Sequence, residues 1–147
     1  ADFQLRNSAA TANNTGDGTS YTVAWTSEEY DSGNNVVPPV TAFTCQCAGT
    51  YHFDVSVLLE GLGALHTSAD LSLNQAGSAT RVNAIQLNPG AIRNASNRAS
   101  VSISGYFQLA VADTVSVKIT VAGSTKTVGI YGAAGTSFTS FAGKYLG

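Results

Sequence analysis

Three segments of this chain alternate apolar and polar residues with a period of two. They lie at residues 21–26, 51–57 and 115–121, and the second carries Tyr51, Phe53, Val55 and Val57 on alternate positions. Because successive side chains of a β-strand point to opposite faces, this pattern predicts strands with one buried and one exposed face. Half-buried strands of this kind are typical of antiparallel sheets.

Shorter strand candidates lie at residues 71–73, 82–87, 100–111 and 138–146, with turns rich in Gly, Asn and Ser between them. No segment has a sustained helical period. A chain of 147 residues is long enough for one domain and one core. We therefore predict a single domain over residues 1–147, with an all-β, jelly-roll sandwich of about ten antiparallel strands.

The polarity of this chain comes from uncharged side chains. Charged residues are 11% of the chain, whereas it contains 16 Ser, 16 Thr and 10 Asn, and its net charge is −2. Nucleic-acid backbones and anionic membrane surfaces attract clusters of Lys and Arg, which are absent here. No apolar stretch is long enough to span a bilayer. We therefore expect no nucleic-acid partner and no membrane insertion.

A spaced set of mostly aromatic residues resembles the signature of the C1q domain, in the C1q/tumour-necrosis-factor superfamily. Five of its eight positions match the signature in residue type. Of the other three, Trp25 is a conservative change, and Val36 and Val55 are smaller apolar residues in place of aromatic ones. The positions are Trp25, Asp31, Val36, Phe43, Gly49, Tyr51, Phe53 and Val55. The resemblance covers roughly residues 22–146 and implies the superfamily's jelly roll.

Two motifs in the second half of the chain extend this resemblance. Residues 105–115 are similar to the family's strand–turn–strand segment, with Ala112 in place of the usual glycine before Asp113. Residues 140–146 are similar to the closing strand. The resemblance also implies assembly as a homotrimer around a threefold axis.

The same resemblance implies a trimer interface on the polar face of the strand at residues 51–57. Its expected residues are His52, Asp54, Ser56, Ser102 and Phe141. Burying a histidine and a carboxylate at an interface is costly unless they are paired or hydrated. His52 and Asp54 therefore indicate a wet axis, an ion pair between protomers, or a bound ion or ligand. Of these and simpler arrangements, we favour an ordinary His–Asp hydrogen bond within or between protomers.

Sequence motifs for catalysis are absent, and we expect no enzymatic activity. The chain has no G-x-S-x-G, H-E-x-x-H or Walker motif. Each histidine has a carboxylate nearby in sequence, Asp54 beside His52 and Asp70 beside His66. In a serine-rich chain such proximity is expected without a catalytic triad.

The sequence predicts no required cofactor. Two His and two Cys give no zinc-binding spacing. The acidic run at residues 28–31 is expected to form a solvated turn. A bound calcium ion is kept as an alternative, because some members of the family that this chain resembles carry one on the axis or in apical loops. Cys45 and Cys47 are expected to be free, buried thiols, with a local or an intermolecular disulfide as alternatives.

Loops rich in Asn, Ser, Thr and Gly suit sugar recognition, because their hydroxyls and amides can hydrogen-bond saccharide hydroxyls. An exposed aromatic side chain can stack on the apolar face of a sugar ring. Tyr30, Tyr106 and Tyr131 are candidate stacking platforms. The expected ligand-binding residues are His52, Asp54, Tyr106, Asn94, Asn97 and Arg98.

We expect a secreted, C1q-like lectin of innate immunity that binds glycans or glycoproteins, acetylated sugars among them. The alternatives are a cytokine-like ligand of a protein receptor, or a structural trimerisation head without a small ligand. The absence of Met fits a chain from which a leader has been removed. The sequons at Asn13 and Asn94 are candidate glycosylation sites.

Overall fold

The computed structural model describes residues 2–34 and 36–147, and within those ranges the chain is almost entirely β. The elements are β1 (Phe3–Arg6), β2 (Ala9–Thr15), β3 (Ser20–Thr22), β4 (Ser27–Asp31), β5 (Ala42–Thr44), β6 (Gly49–Glu60), β7 (Ser68–Ala76), β8 (Arg81–Leu87), α1 (Pro89–Ile92), β9 (Ala99–Leu109), β10 (Thr114–Ala122), β11 (Val128–Ala133) and β12 (Ser140–Tyr145). The predicted all-β fold is confirmed, with two more strands than the expected ten.

The strands form two antiparallel sheets. In the seven-stranded sheet, the order is β2-β11-β6-β12-β1-β4, and β9 pairs with the other edge of β6. In the five-stranded sheet, the order is β3-β10-β7-β8, with β5 also beside β10. The long strand β6 is therefore central to one sheet and β10 to the other.

Alternate residues of these strands fill one core between the two sheets. On β6, Tyr51, Phe53, Val55 and Val57 are buried, as the alternation predicts. Aromatic rings pack from several strands into this core: the Phe3 ring stacks on Phe43 at 5.1 Å between centroids. Because each large ring removes about 150–250 Å² from water, this cluster is a major source of folding free energy.

Residues 2–31 contain three strands that the residue pattern did not predict, β1, β2 and β4. Phe3 and Leu5 alternate with polar residues on β1 and are fully buried, which is a short signal of the same period. The acidic run at residues 28–31 was expected to form a turn. It is instead part of the edge strand β4, which pairs with β1. Edge strands tolerate charge because one side faces water.

The turn between β9 and β10 is organised by the buried carboxylate of Asp113. Its oxygens accept hydrogen bonds from the Ser78 amide (2.7 Å), the Ser78 hydroxyl (2.6 Å), the Ala110 amide (2.9 Å) and the Gln75 side chain (3.1 Å). Ala112, just before it, has a φ of 73°, the left-handed conformation that glycine adopts without cost. The turn therefore has a left-handed residue with an alanine side chain at this position.

Acid should weaken the protein through Asp113. The hydrogen bonds from Ser78, first from its amide and then from its hydroxyl, lower the Asp113 pKa from 3.8 to about 2. Because this pKa is lower in the folded chain, the stabilisation is complete above about pH 4 and disappears as pH falls towards 2. Asp113→Asn should therefore lower the unfolding midpoint by several degrees at pH 7 but by much less at pH 2. Thermal melts at both pH values measure these midpoints. A difference between the midpoints of wild type and variant that is the same at pH 7 and pH 2 would contradict this role.

Candidate functional site

The face of the seven-stranded sheet that points away from the core carries most of the predicted functional residues. On β6, His52, Asp54 and Ser56 alternate with the buried residues and so point outwards. Strand register places further outward residues beside them, and we call this surface the groove face. Its central residues are His52, Asp54, Ser56, Ser102, Ser104, Tyr106, Ser140, Ala142 and Lys144.

A shallow groove with a mixed polar and apolar lining crosses the middle of the groove face. It has a volume of about 490 Å³, and its lining residues are Gln4, Asp54, Ser56, Ser102, Ser104 and Ser140 with the apolar Val55, Ile103 and Ala142. The side chains are short, so the floor is the sheet itself. They offer hydroxyl, amide and carboxylate groups that can hydrogen-bond a polar partner.

At one end of the groove, three predicted ligand residues lie together. His52 Nδ1 is 3.4 Å from an Asp54 carboxylate oxygen, and the His52 ring packs on the Tyr106 ring at 4.6 Å between centroids. Tyr106 is 71% exposed. This end therefore presents a large aromatic surface to solvent beside a histidine and a carboxylate.

The other end of the groove face is aromatic too, and it carries an arginine. The Arg98 guanidinium lies over the Tyr131 ring at 4.1 Å and is 3.6 Å from a Glu60 carboxylate oxygen. Phe138 packs on the Tyr131 ring at 5.5 Å and is 53% exposed. Glu60 and Phe138 were not among the predicted site residues, although the alternation of β6 continues to Glu60.

The predicted Asn94 and Asn97 are exposed, but their side-chain oxygens accept hydrogen bonds from within the chain. Asn94 Oδ1 accepts hydrogen bonds from the Ser96 and Arg98 amides at 2.9 and 3.0 Å. Asn97 Oδ1 accepts one from Arg93 at 3.3 Å. These bonds shape the loop after α1. The structure therefore does not bring the six predicted ligand residues together. Arg98 lies beside Glu60, which is separated from His52 by roughly 26 Å along β6.

Phe141 does not lie on the groove face, and its predicted place in a trimer interface is wrong. It pairs in register with Val55 and is fully buried in the core, against Trp25, Phe53 and Phe3. A shift of one residue in strand register exchanges the two faces of a sheet. The outward positions of β12 are its neighbours Ser140 and Ala142.

Neither histidine takes part in a Ser/His/Asp arrangement in the hydrogen bonds of the described chain. His66 is buried, its Nδ1 accepts from the Gly63 amide at 2.9 Å, and its Nε2 contacts the Thr125 carbonyl at 2.8 Å. Because Nδ1 accepts a hydrogen bond from the Gly63 amide, it carries no proton. The ring proton is therefore assigned to Nε2, which donates it to the Thr125 carbonyl. His66 therefore joins two loops rather than activating a nucleophile.

Residues 2–34 and 36–147 contain no group of three His, Cys, Asp or Glu side chains suited to a metal ion. In the same ranges no helix is long and apolar enough to cross a membrane. The sequon residues Asn13 and Asn94 are both exposed.

The two cysteines are free thiols with different surroundings. Cys45 is buried, as expected, but Cys47 is exposed. The Tyr51 hydroxyl donates to the Cys47 carbonyl at 2.7 Å, and burial raises the pKa of the Tyr51 phenol. The expectation of two buried thiols is therefore wrong for Cys47, which lies in the bend between β5 and β6.

No protein-family model matches the chain, and no curated protein matches it either. Solved structures do match it over nearly its whole length. The globular domain of zebrafish complement 1qA has a TM-score of 0.69 at 16% identity, and the match covers 99% of this chain and 97% of that one. Murine APRIL at pH 8.5 has a TM-score of 0.67 at 15% identity, with 99% and 98% covered. Eiger TNF from S. frugiperda has a TM-score of 0.69 at 10% identity, with 99% and 92% covered. The chain thus has the jelly-roll fold of the C1q and tumour-necrosis-factor proteins.

Proposed function

We propose that this chain is the subunit of an extracellular homotrimer that acts by binding and not by catalysis. The C1q and tumour-necrosis-factor fold over the whole chain supports the proposal, and so does the sequence signature. The observation that carries it is the groove face, where Tyr106 and Phe138 are 71% and 53% exposed. Exposed aromatic side chains on one face are typical of a surface that a protein partner covers.

A second copy of the chain offers a surface that complements the groove face. Val82 and Ile85, on the edge strand β8, are 61% and 38% exposed. They belong to the other sheet, so contact between this edge and a groove face joins two different surfaces. Such heterologous contacts form a closed ring when the rotation between copies allows it. A threefold ring would use both surfaces of every copy.

The test of assembly is the native mass of the protein and of the variant Tyr106→Asp. Light scattering after size exclusion should give three times the chain mass of 15.1 kDa. Tyr106→Asp places an unpaired charge in the contact, so we expect the dissociation midpoint concentration to rise about 30-fold or more. Val111→Asp is the matched control, because Val111 is 62% exposed but lies in the turn after β9. A wild-type monomer at every concentration would contradict the proposal.

For the ligand of this trimer we propose carbohydrate, including acetylated sugars. The abundance of uncharged hydroxyl and amide side chains supports this class, as do exposed aromatic rings such as Tyr30, which is 49% exposed. Three equivalent sites on one rigid head would turn weak sugar affinity into avidity. No cofactor is part of the proposal.

A glycan array on the intact protein, repeated with free-sugar competition and with a chelator, tests the ligand class. Binding that a related set of sugars competes away is the expected result. Loss of this binding in chelator would add a calcium ion to the site. A blank array on a protein of trimeric mass would contradict the lectin and favour a cytokine-like ligand of a protein receptor, or a structural head.

A further inference from the structure

We propose that His66 is an acid-sensitive switch, which holds one group of loops together while its ring is neutral and lets them separate when the ring is protonated. These loops, which we call the loop cluster, are residues 16–18, 61–67, 88–93 and 123–127. The switch is a property of the single folded chain, so it depends neither on the proposed trimer nor on its ligand.

His66 connects all four segments of the loop cluster. It is 2% exposed, and its ring accepts from the Gly63 amide through Nδ1 and donates to the Thr125 carbonyl through Nε2. Its own backbone carbonyl accepts from the Gly90 amide at 2.8 Å. The fourth segment lies against the ring, since a Cβ atom placed on Gly16 would be 3.0 Å from Nε2. The segments are therefore held together around one imidazole.

The segments of the loop cluster pack backbone against backbone. A Cβ atom placed on a glycine in three of them would lie 2.0–2.3 Å from a carbonyl oxygen of a neighbouring segment. These glycines are Gly16, Gly61 and Gly123. Close-packed interiors of this kind leave no room for a side chain to turn or for water to enter. The His66 ring can therefore become hydrated only when the segments move apart.

The closed loop cluster requires the neutral form of the His66 ring. A protonated imidazole carries a hydrogen on both nitrogens, so Nδ1 would point an N–H group at the Gly63 N–H. The hydrogen bond between them would be lost, and a charge would be buried without a partner. Acid therefore favours the separated segments, in which water solvates the charged ring.

No acidic side chain offsets a proton on this ring. Among residues 2–34 and 36–147, none of the ion pairs includes His66. The charged residues in or beside the loop cluster are Asp17, Glu60, Asp70, Arg93 and Lys126. The Asp17 carboxylate accepts from the Thr19 hydroxyl at 2.6 Å, and Glu60 lies 3.6 Å from Arg98. Arg93 donates to the Gly90 carbonyl, and Asp70 lies on β7. The ring hydrogen-bonds only backbone groups in the described chain.

Separation of these segments would also affect the groove face. The Leu62 amide donates to the Asn97 carbonyl at 3.1 Å, and Asn97 precedes Arg98, whose guanidinium lies over the Tyr131 ring. Residues 61–67 therefore support the loop that positions Arg98. Acid is expected to loosen this loop through the loss of the Leu62 bond.

Amide hydrogen exchange of the intact protein at about pH 7.5 and about pH 5 tests the switch, because histidine changes its charge in this range. Rates are corrected for the exchange of an unstructured chain at each pH. We expect protection of the Leu62, Gly63 and Gly90 amides to fall about tenfold or more at the lower pH, the effect of losing roughly one hydrogen bond. Amides in the middle of β6 should keep their protection.

Two variants show which histidine is responsible. His66→Gln cannot be protonated in this range, so its protection should be the same at both pH values. His52→Gln is the matched control, because it removes the more exposed histidine and should keep the wild-type response. Asp113 is not involved, since its carboxyl group stays ionised at pH 5.

Equal protection of wild type at the two pH values would overturn the switch, and so would a pH response that His66→Gln retains. If His66→Gln does not fold, the nitrogen chemical shifts of the wild-type imidazole replace it. The expected ring is neutral at the higher pH, with its proton on Nε2, and charged at the lower pH, where protection falls. A ring that becomes charged while protection is unchanged, or stays neutral while protection falls, would overturn the proposal.

Discussion

Phe141→Ala is expected to lower the free energy of unfolding by about 3–5 kcal/mol, the usual cost of removing a fully buried phenylalanine ring. The Phe141 ring packs on Phe3, Trp25 and Phe53, with centroids 5.3 to 5.7 Å away. These contacts come from β1 and β6 of the same sheet and from Trp25 in the segment between β3 and β4, so the cavity left behind cannot easily collapse. Denaturant unfolding followed by tryptophan fluorescence measures the change, because Trp25 lies against the ring.

The neighbouring residue provides the matched control for this experiment. Ser140→Ala changes the adjacent position of β12, which lies on the groove face, and should alter the free energy of unfolding by less than about 1 kcal/mol. If Phe141 instead acted at a subunit contact, Phe141→Ala would change the dissociation midpoint while leaving the unfolding of isolated subunits nearly unchanged. That result would contradict its place in the core.

His66→Ala is expected to have the second large effect. The substitution leaves the part-buried Gly63 amide without its present partner, which should cost about 1 kcal/mol. The Thr125 carbonyl loses the imidazole but keeps the hydrogen bond from the Thr127 amide at 2.8 Å. The substitution also removes the side-chain connection between the loop after β6 and the loop after β10. Hydrogen exchange of the Gly63 amide should accelerate, and the free energy of unfolding should fall.

His66→Gln separates the hydrogen bonds of this residue from its volume. A glutamine side chain carries one acceptor and one donor group and can replace part of the imidazole's bonding. We expect it to recover a substantial part of the stability lost in His66→Ala. Equal loss in the two variants would mean that ring packing, and not the two bonds, is the contribution of His66.

Long strands with one buried face, such as β6 and β10, were predictable from their alternation, whereas the short strand β1 was not. The β6 alternation correctly predicted that Tyr51 and Phe53 lie in the core and that His52 and Asp54 point outwards. The acidic run in β4 hid its strand, because an edge strand buries little and has no apolar alternation. Charge and turn residues alone suggested a loop there.

The candidate site was predictable only in part. His52, Asp54 and Tyr106 do lie together, because a local alternation and one strand pairing are enough to place them. Arg98 joins Glu60 and Tyr131 instead, and this contact needs three separate segments to meet. Asn94 and Asn97 were predicted to bind a ligand, and their side-chain oxygens accept hydrogen bonds within their own loop.

The residue pattern was enough to show that this chain is built from β-strands and which side of each long strand is apolar, because both follow from the preference of apolar residues for the core and the two-residue period of a strand. Which strands pair, and in which register, depends on the folded chain. That choice buries Phe141, exposes Ser140 and Ala142, and places a groove of mixed polar and apolar lining between two aromatic ends. Register depends on contacts between distant segments, and a shift of one residue exchanges the core face for the outer face.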